Sequence, residues 1–215
     1  MANITTPIPE KTIERLSEYR RTLLKCHAQG ITHIFSHVLA GMHGITAVQV
    51  RRDLMLIGFS SDTKKGYDVK VLIDFITDIL YSEQPMNMAI IGMGHLGQAV
   101  TKYFNGKGLK LRITAAFDIH PDKVGKVIDN IPCYHIDEFE ERVDELNISI
   151  VIVSSPTSVA STLVLPIINA GIKGVLNFTS APLNFPPGIV VENYDITTLL
   201  EKVAYFVKVA EESSN

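Results

Sequence analysis

Cysteine is scarce: the 215 residues hold two, Cys26 and Cys133, in different segments and neither in a C-x-x-C pair. That argues against a disulfide framework or a zinc site and fits a reducing compartment. Long apolar runs are missing too, so no membrane span is expected. The start, Met1-Ala2-Asn3-Ile4-Thr5-Thr6, is polar and lacks the apolar core of a signal peptide. The expected location is therefore the cytoplasm. Internal repeats and low-complexity tracts are absent, which excludes solenoids. Excess positive charge is absent as well: 20 Lys/Arg stand against 23 Asp/Glu, a net of −3. The balance is uneven along the chain, however. Residues 1–70 carry ten basic and six acidic side chains, net +4, and residues 71–215 carry ten and seventeen, net −7. A basic contact surface near one end is one reading of that asymmetry, and solvated helix faces are the other. His27, His33, His37 and His43 form a loose series. His33 and His37 have helical spacing, but a helix start at Ser36 divides them, so they read as core or surface positions and no metal is expected.

What is present begins with Ile90-Ile91-Gly92-Met93-Gly94-His95-Leu96-Gly97. A short apolar run, Met88 to Ile91, predicts a buried strand that breaks into G-x-G-x-x-G. A helical pattern follows, with Leu96, Val100, Tyr103 and Phe104 on one face. Gly92 allows a tight turn, Gly94 lets a pyrophosphate approach the backbone, and Gly97 lets the helix pack against the strand. The helix N-terminus offers free N–H groups to phosphate. The next strand, Leu111 to Phe117, ends in Asp118, 21 residues after Gly97. A carboxylate there accepts from both adenosine ribose hydroxyls and repels a 2′-phosphate, which favours NAD(H) over NADP(H). Met93, His95 and Leu96 complete the candidate cofactor loop, His95 reading mainly as a tolerated loop residue.

Upstream, Pro7-Ile8-Pro9 leads into a helix from about Glu10 to Gln29, with Ile13, Leu16, Tyr19 (or Arg20), Leu23 and Leu24 inward. Ile31 to Phe35 is briefly extended. Ser36 caps a short helix, about His37 to His43, with Val38, Leu39 and Met42 inward. After Gly44, Thr46 caps a third helix, Ala47 to about Leu56, whose inward residues are Val48 (or Ala47), Val50 and Leu54. Helix, short turn, helix is the helix-turn-helix arrangement. Its second helix carries Gln49, which can pair with an adenine edge, and Arg51 and Arg52, which can meet guanine or phosphate. Gly58 to Tyr67 reads as a hairpin whose basic tip, Lys64 and Lys65, suits a DNA-binding wing. A plain three-helix domain with solvated arginines is the other reading.

Residues 68–80 form an amphipathic helix, and Ser82 to Asn87, with Pro85, reads as a linker. Strands are predicted at 88–91, 111–117, 131–134, 148–154, 173–178 and 189–193, and helices near 95–106, 136–146 and 157–170. Alternation with short connections implies a doubly wound parallel sheet. Ser154-Ser155-Pro156 and Asn177-Phe178 end two strands and are expected at the crevice where the nicotinamide half would lie, or else are ordinary turn residues. The last helix, about Ile196 to Ala210, is apolar around most of its circumference, which implies a subunit interface or a groove of its own subunit.

With these residues in view, the chain from about Pro9 to Val207 resembles the redox-sensing transcriptional repressor Rex family. Gln49-Val50-Arg51-Arg52-Asp53-Leu54 is similar to its Q-V-R-K-D-L recognition helix. The glycine loop, Ala116-Phe117-Asp118, the stretch Ala170-Gly171-Ile172-Lys173-Gly174-Val175-Leu176-Asn177-Phe178, and Val191-Glu192-Asn193-Tyr194-Asp195 resemble further family segments in the same order. The resemblance implies an α/β chain with a winged helix-turn-helix DNA-binding domain (1–81), a linker (82–87), a Rossmann NAD(H)-binding domain (88–194) and a swapped C-terminal helix and tail (195–215). It implies a homodimeric repressor, not an enzyme, that binds a palindromic operator when NADH is low. It also implies a switch of Asp195 with Arg21 and Tyr103, and places Thr46 with the DNA contacts and Ile196 at the cofactor. The family's wing arginine is replaced here by Thr63, beside Lys64 and Lys65, and the aromatic often found after the final Asp is Ile196. An NAD-dependent dehydrogenase and a nucleotide- or CoA-binding module are the alternatives. The first lacks a substrate domain and any evident His/Asp or Tyr/Lys pair for hydride chemistry. The second must place a CoA 3′-phosphate near Asp118.

Overall fold

The structure, a computed structural model, describes residues 7–60, 65–104 and 110–213. The chain divides between Gln84 and Pro85 into two units. In the first, α1 (Glu10–Ala28) is followed by β1 (His33–Ile34), α2 (Ser36–His43), α3 (Ala47–Leu56), β2 (Tyr67–Asp68) and α4 (Val69–Leu80). The two short strands pair antiparallel, His33 opposite Asp68 and Ile34 opposite Tyr67. With α2 and α3 between them, this is a winged helix-turn-helix. The tip of the wing, including Thr63 and Lys64, lies outside the described residues; Lys65 is exposed.

The core of this unit departs from expectation in its details. Along α1 the buried positions are Thr12, Leu16, Tyr19, Leu23 and Cys26, alternating three and four apart, while Leu24 is exposed. The stripe is turned toward Thr12 because that hydroxyl, like the Tyr19 phenol, has a buried partner on α3. On α2 only Leu39 and Ala40 are buried; Val38 and Met42 face solvent. Two turns of helix offer one narrow face, and the Leu39–Ala40 side of it meets the core. On α3, Val48 is exposed and Ala47 packs inward. Asp68 caps α4 by accepting from the Val71 N–H at 2.9 Å, and Val69, Leu72, Ile73 and Ile76 fill the core.

The second unit contains β3 (Met86–Ile91), α5 (His95–Phe104), β4 (Leu111–Asp118), β5 (Val127–Ile128), β6 (Ile131–His135), α6 (Phe139–Glu145), β7 (Ile148–Val153), α7 (Thr157–Ala160), α8 (Val164–Asn169), β8 (Gly174–Asn177), β9 (Val190–Asn193) and α9 (Ile196–Glu212). Among the described residues one sheet has the order β5-β6-β4-β3-β7-β8-β9, parallel throughout except for β5. Without that edge strand it is the doubly wound order of dinucleotide-binding folds, whose connections reverse direction between β3 and β7. Strands buried on both faces read as continuous apolar runs, as Ala89-Ile90-Ile91 and Val151-Ile152-Val153 do.

The sequence reading did not include β5. It joins β6 through Asp129 and Asn130, both with positive φ (50° and 67°), the backbone of a tight hairpin that Asp and Asn tolerate. The single helix expected over 157–170 is two short helices with a 3-10 turn, Ser161–Leu163, between them. Pro166 cannot donate a hydrogen bond to the preceding turn, which weakens a continuous helix there. Tyr103, grouped on one face of α5 with Leu96, Val100 and Phe104, is 62% exposed, whereas Val100 is buried. No helix among the described residues is long and apolar enough to cross a membrane. Both cysteines are free and buried.

Candidate functional site

The glycine turn, Asp118, Ser155 and Phe178 follow or end four neighbouring parallel strands, in the order β4-β3-β7-β8, so they share one edge of the sheet. The turn is held by the strands beside it. Gly92 donates its N–H to the Phe117 carbonyl at 2.8 Å, and its own carbonyl accepts from Ser154 Oγ at 2.8 Å. Gly92 has φ +99°, and a Cβ there would lie 2.8 Å from the Ser154–Ser155 backbone. A Cβ on Gly97 would run into the Gly92 carbonyl oxygen. Gly94 has open space around it and is exposed, as is His95. The first turn of α5 therefore leaves N–H groups without intrahelical acceptors beside an unfilled approach. Met93 contributes backbone only, since its side chain is buried in the core, and Leu96 packs against that same core.

Asp118 is more occupied than its expected role requires. Its Oδ1 accepts the Ile119 and His120 N–H groups, both at 2.9 Å, and its Oδ2 accepts the Met93 N–H at 2.8 Å and Lys123 Nζ at 2.9 Å. Four donors fill the acceptor sites of a carboxylate. Burial alone would raise its pKa, but Lys123 and the backbone donors outweigh that and hold it below the usual carboxylate range. The bond to Met93 also ties the glycine turn to the end of β4. A ribose diol can reach this carboxylate only by displacing one of its partners, and among the described residues Lys123 is the only one of these that is not backbone.

Ser155 Oγ is buried with no hydrogen-bond partner among the described residues. Such a group is costly unless something completes it, and it lies two residues past β7 on the edge that carries the glycine turn. It gives the site a polar group suited to a ligand such as a dinucleotide. Pro156 beside it is exposed. Phe178 packs at 5.7 Å against Tyr194, an aromatic that sequence reasoning did not place here. Asn177 does not line the crevice: it is buried and fully used. Its amide nitrogen donates to the Ala181 carbonyl and Asn193 Oδ1, and its oxygen accepts from the Thr179 N–H and hydroxyl. That network replaces a helix in the connection from β8 to β9.

Ile196 opens α9, and no residue of this 17-residue helix is buried. Leu199, Leu200, Val203, Phe206 and Val207 are each at least half exposed. Asp195 caps the helix, accepting the Thr197 N–H at 3.0 Å and the Thr198 hydroxyl at 2.8 Å. Arg21 donates to Ser17 Oγ and is exposed.

On α3, Thr46 Oγ1 accepts the Gln49 N–H at 3.1 Å, so this hydroxyl serves as the helix cap. Arg51 and Arg52 are exposed, Arg51 donating to Ser36 Oγ at 3.0 Å. Gln49, expected to be free for a base, has its amide nitrogen 2.9 Å from Asp53 Oδ1. Asp53 is 1% exposed and is held by Arg15 and Tyr19 of α1. The spacing of Gln49 and Asp53, four apart on one helix, was visible in the sequence; the partners on α1, 34 to 41 positions away, were not. Among the described residues no three His, Cys, Asp or Glu side chains gather as metal ligands would.

A winged helix-turn-helix with exposed arginines on its second helix, in one chain with a dinucleotide-type α/β unit, defines a class: ligand-responsive transcription regulators. Residues 7–54 match the family described as putative DNA-binding protein N-terminus, and residues 83–181 match the CoA binding domain family. The chain is 36% identical over 208 residues to the redox-sensing transcriptional repressor Rex of Listeria welshimeri, covering 97% of each. It belongs to the Rex family of redox-sensing transcriptional repressors. Two solved structures of RSP, a Rex-family repressor, are 29% identical to it. The one in complex with NADH has a TM-score of 0.84, covering 97% of this chain and 98% of that one. The one with NAD+ and operator DNA has a TM-score of 0.89, covering 97% and 96%.

Proposed function

We propose that this chain is a homodimeric repressor that holds a palindromic operator when NADH is scarce and releases it as NADH rises. The observation that carries the reading is the shared sheet edge on which an open glycine turn, a carboxylate and an unsatisfied buried hydroxyl converge. Gly92, Gly94 and Gly97 with the first turn of α5, including His95 and Leu96, hold the pyrophosphate, and Asp118 holds the adenosine ribose after Lys123 yields. Ser155, Pro156 and Phe178 line the nicotinamide end, with Ile196 at its mouth. That lining is largely apolar, and an apolar pocket disfavours an unpaired charge, so the neutral ring of NADH binds better than the cationic ring of NAD+.

Residues 1–81 are the DNA head, reading bases through Gln49 and Arg51 and phosphates through Arg52, Lys64 and Lys65, with Thr46 fixing the start of the helix. Residues 88–194 bind the cofactor and 195–215 reach a second subunit. The apolar stripe left uncovered on α9 supports the dimer, since an exposed apolar area of that extent marks a contact surface. Two recognition helices must meet major grooves about 34–36 Å apart, so a shift of α9 that moves the heads by a few ångströms breaks the fit. Asp195 is the charged element of that switch, with Arg21 and Tyr103 as its partners. The protein binds its cofactor and does not turn it over, and it works in the cytoplasm with no metal. Calorimetry with NADH, NAD+ and CoA side by side tests the site: NADH should bind most tightly, and CoA in its place would assign the unit to the other family it matches. Steady oxidation of NADH with carbonyl substrates would make it an enzyme.

A further inference from the structure

Asp53 lies one helical turn after Gln49 on α3 and is closed off from solvent. Its carboxylate takes Arg15 Nε on Oδ2 and Arg15 Nη2 on Oδ1, both at 2.7 Å. The Tyr19 hydroxyl donates to Oδ2 at 2.9 Å and the Gln49 amide nitrogen to Oδ1 at 2.9 Å, with the Thr12 hydroxyl more distant at 3.5 Å. A carboxylate only accepts hydrogen bonds, so it settles which end of the Gln49 amide faces it: the nitrogen must, and the oxygen cannot. One of the two amide N–H groups is then committed. The other N–H and the carbonyl oxygen remain, and these are the pair that a bidentate contact with the N7 and N6 groups of adenine requires.

We propose that Asp53, itself fixed by Arg15, is a positioning residue for base reading: it sets the Gln49 amide in the adenine-reading orientation before DNA arrives. The proposal rests on the reading of α3 as the recognition helix. Gln49 would otherwise sample many rotamers and both amide orientations, and ordering it on the DNA would cost affinity. Replacing Asp53 by asparagine makes the role visible. Arg15 donates to both oxygens, so whichever way the new amide turns, an NH2 group meets one of its donors. With the NH2 group on the Oδ1 side, the Gln49 oxygen must turn inward to accept from it; with it on the other side, the neutral oxygen left for Gln49 is a weaker acceptor than a carboxylate. Either way the Gln49 amide loses the carboxylate that fixes its base-reading face, while the volume of the core does not change.

The test selects binding sites from a randomised duplex library with the full-length protein. Base preference is then measured position by position for wild type, Gln49→Ala, Asp53→Asn, Tyr19→Phe and the Gln49→Ala/Asp53→Asn double variant. Gln49→Ala should lose an adenine preference at one position of each half-site. Asp53→Asn should lower the same preference about tenfold, and the double variant should lose no more there than Gln49→Ala alone. Tyr19→Phe removes a donor to Asp53 without touching Gln49 and should keep the preference. If Gln49→Ala loses a preference that Asp53→Asn retains, the positioning role fails and the DNA-reading helix stands. If Gln49→Ala alters no preference, the base-reading role of Gln49 fails and the positioning role with it. Should Asp53→Asn fail to fold, the side-chain amide protons of Gln49 in the free wild-type protein decide by NMR. One protected and one fast-exchanging proton supports the role; two equally fast protons overturn it.

Discussion

Each unit of this chain is built around one nearly buried aspartate, and the two are held by different kinds of donor. Asp53 takes its hydrogen bonds from side chains of α1 and α3, Arg15, Tyr19, Gln49 and Thr12. Asp118 takes three of its four from backbone N–H groups and the fourth from Lys123. The first arrangement locks two helices together and leaves no partner that can leave cheaply. The second keeps a turn in shape through the backbone and leaves one side-chain ammonium, partly exposed, beside the glycine turn. A reading head gains from the first and a ligand pocket needs the second, because a ligand must find something it can displace.

The largest effect that could break this comparison is at Arg15. Arg15→Met leaves the Asp53 carboxylate buried without its cation, and removing one partner of such a pair costs about 3–5 kcal/mol. Urea unfolding of the full chain should show that loss. A cost under about 1 kcal/mol would mean that the pair behaves like an exposed one. Acid sharpens the same point. Burial would raise the Asp53 pKa, but bonds from Arg15, Tyr19 and Gln49 hold it below the usual value. A carboxyl lowered on folding contributes stability above its unfolded pKa of about 3.9, and that contribution is lost as pH falls through the folded value. Wild type should therefore lose stability steeply below about pH 4. Arg15→Met should lose less over that range, because its Asp53 is no longer held low.

Next in size is Asp118→Ala. Each charge-assisted hydrogen bond from a ribose hydroxyl is worth about 1.5–3 kcal/mol, so NADH affinity by calorimetry should fall by tenfold or more. Lys123→Met should do the opposite and tighten NADH several-fold, since the ribose then meets a carboxylate with a free acceptor site. Weaker binding in Lys123→Met would show that the ammonium belongs to the bound site and is not displaced. The smallest effect is at Asp195. As a helix cap it is worth about 1 kcal/mol, and Asp195→Ala should lower the melting temperature by a few degrees. If the carboxylate also works the switch, the variant binds NADH and fails to release operator. Normal release would leave it a cap alone.

The sequence made short-range features legible. The glycine turn, α5, β4 and Asp118 follow one another within about 30 positions, and each carries a local signature. The all-round apolarity of α9 was equally plain in its composition, but the choice between a subunit interface and a groove of its own subunit was not; the exposure of the whole helix is what favours the first. What escaped notice was either too short or too distant. The Asp129-Asn130 turn is a usable signal for the β5–β6 hairpin, but the two-residue β5 carries too little periodicity to read as a strand. The two-turn α2 gave no reliable face, and Val38 and Met42 were placed inward for that reason. Gln49 and Asn177 looked like free polar groups because a sequence does not say which side chains fold back on a distant partner. Lys123 is only five residues past Asp118, yet nothing in its spacing marks an ion pair on a loop.

The central claim is that the cofactor's redox state decides whether the DNA head stays on its operator. Fluorescence anisotropy of a labelled operator duplex, selected by this protein, measures it directly when total nicotinamide dinucleotide is held constant and the NADH fraction is raised. The expected result is a tight complex in NAD+ that dissociates as NADH replaces it, with DNA weakening NADH binding by the same factor as linkage requires. A complex that holds equally well in saturating NADH and saturating NAD+ would contradict the claim.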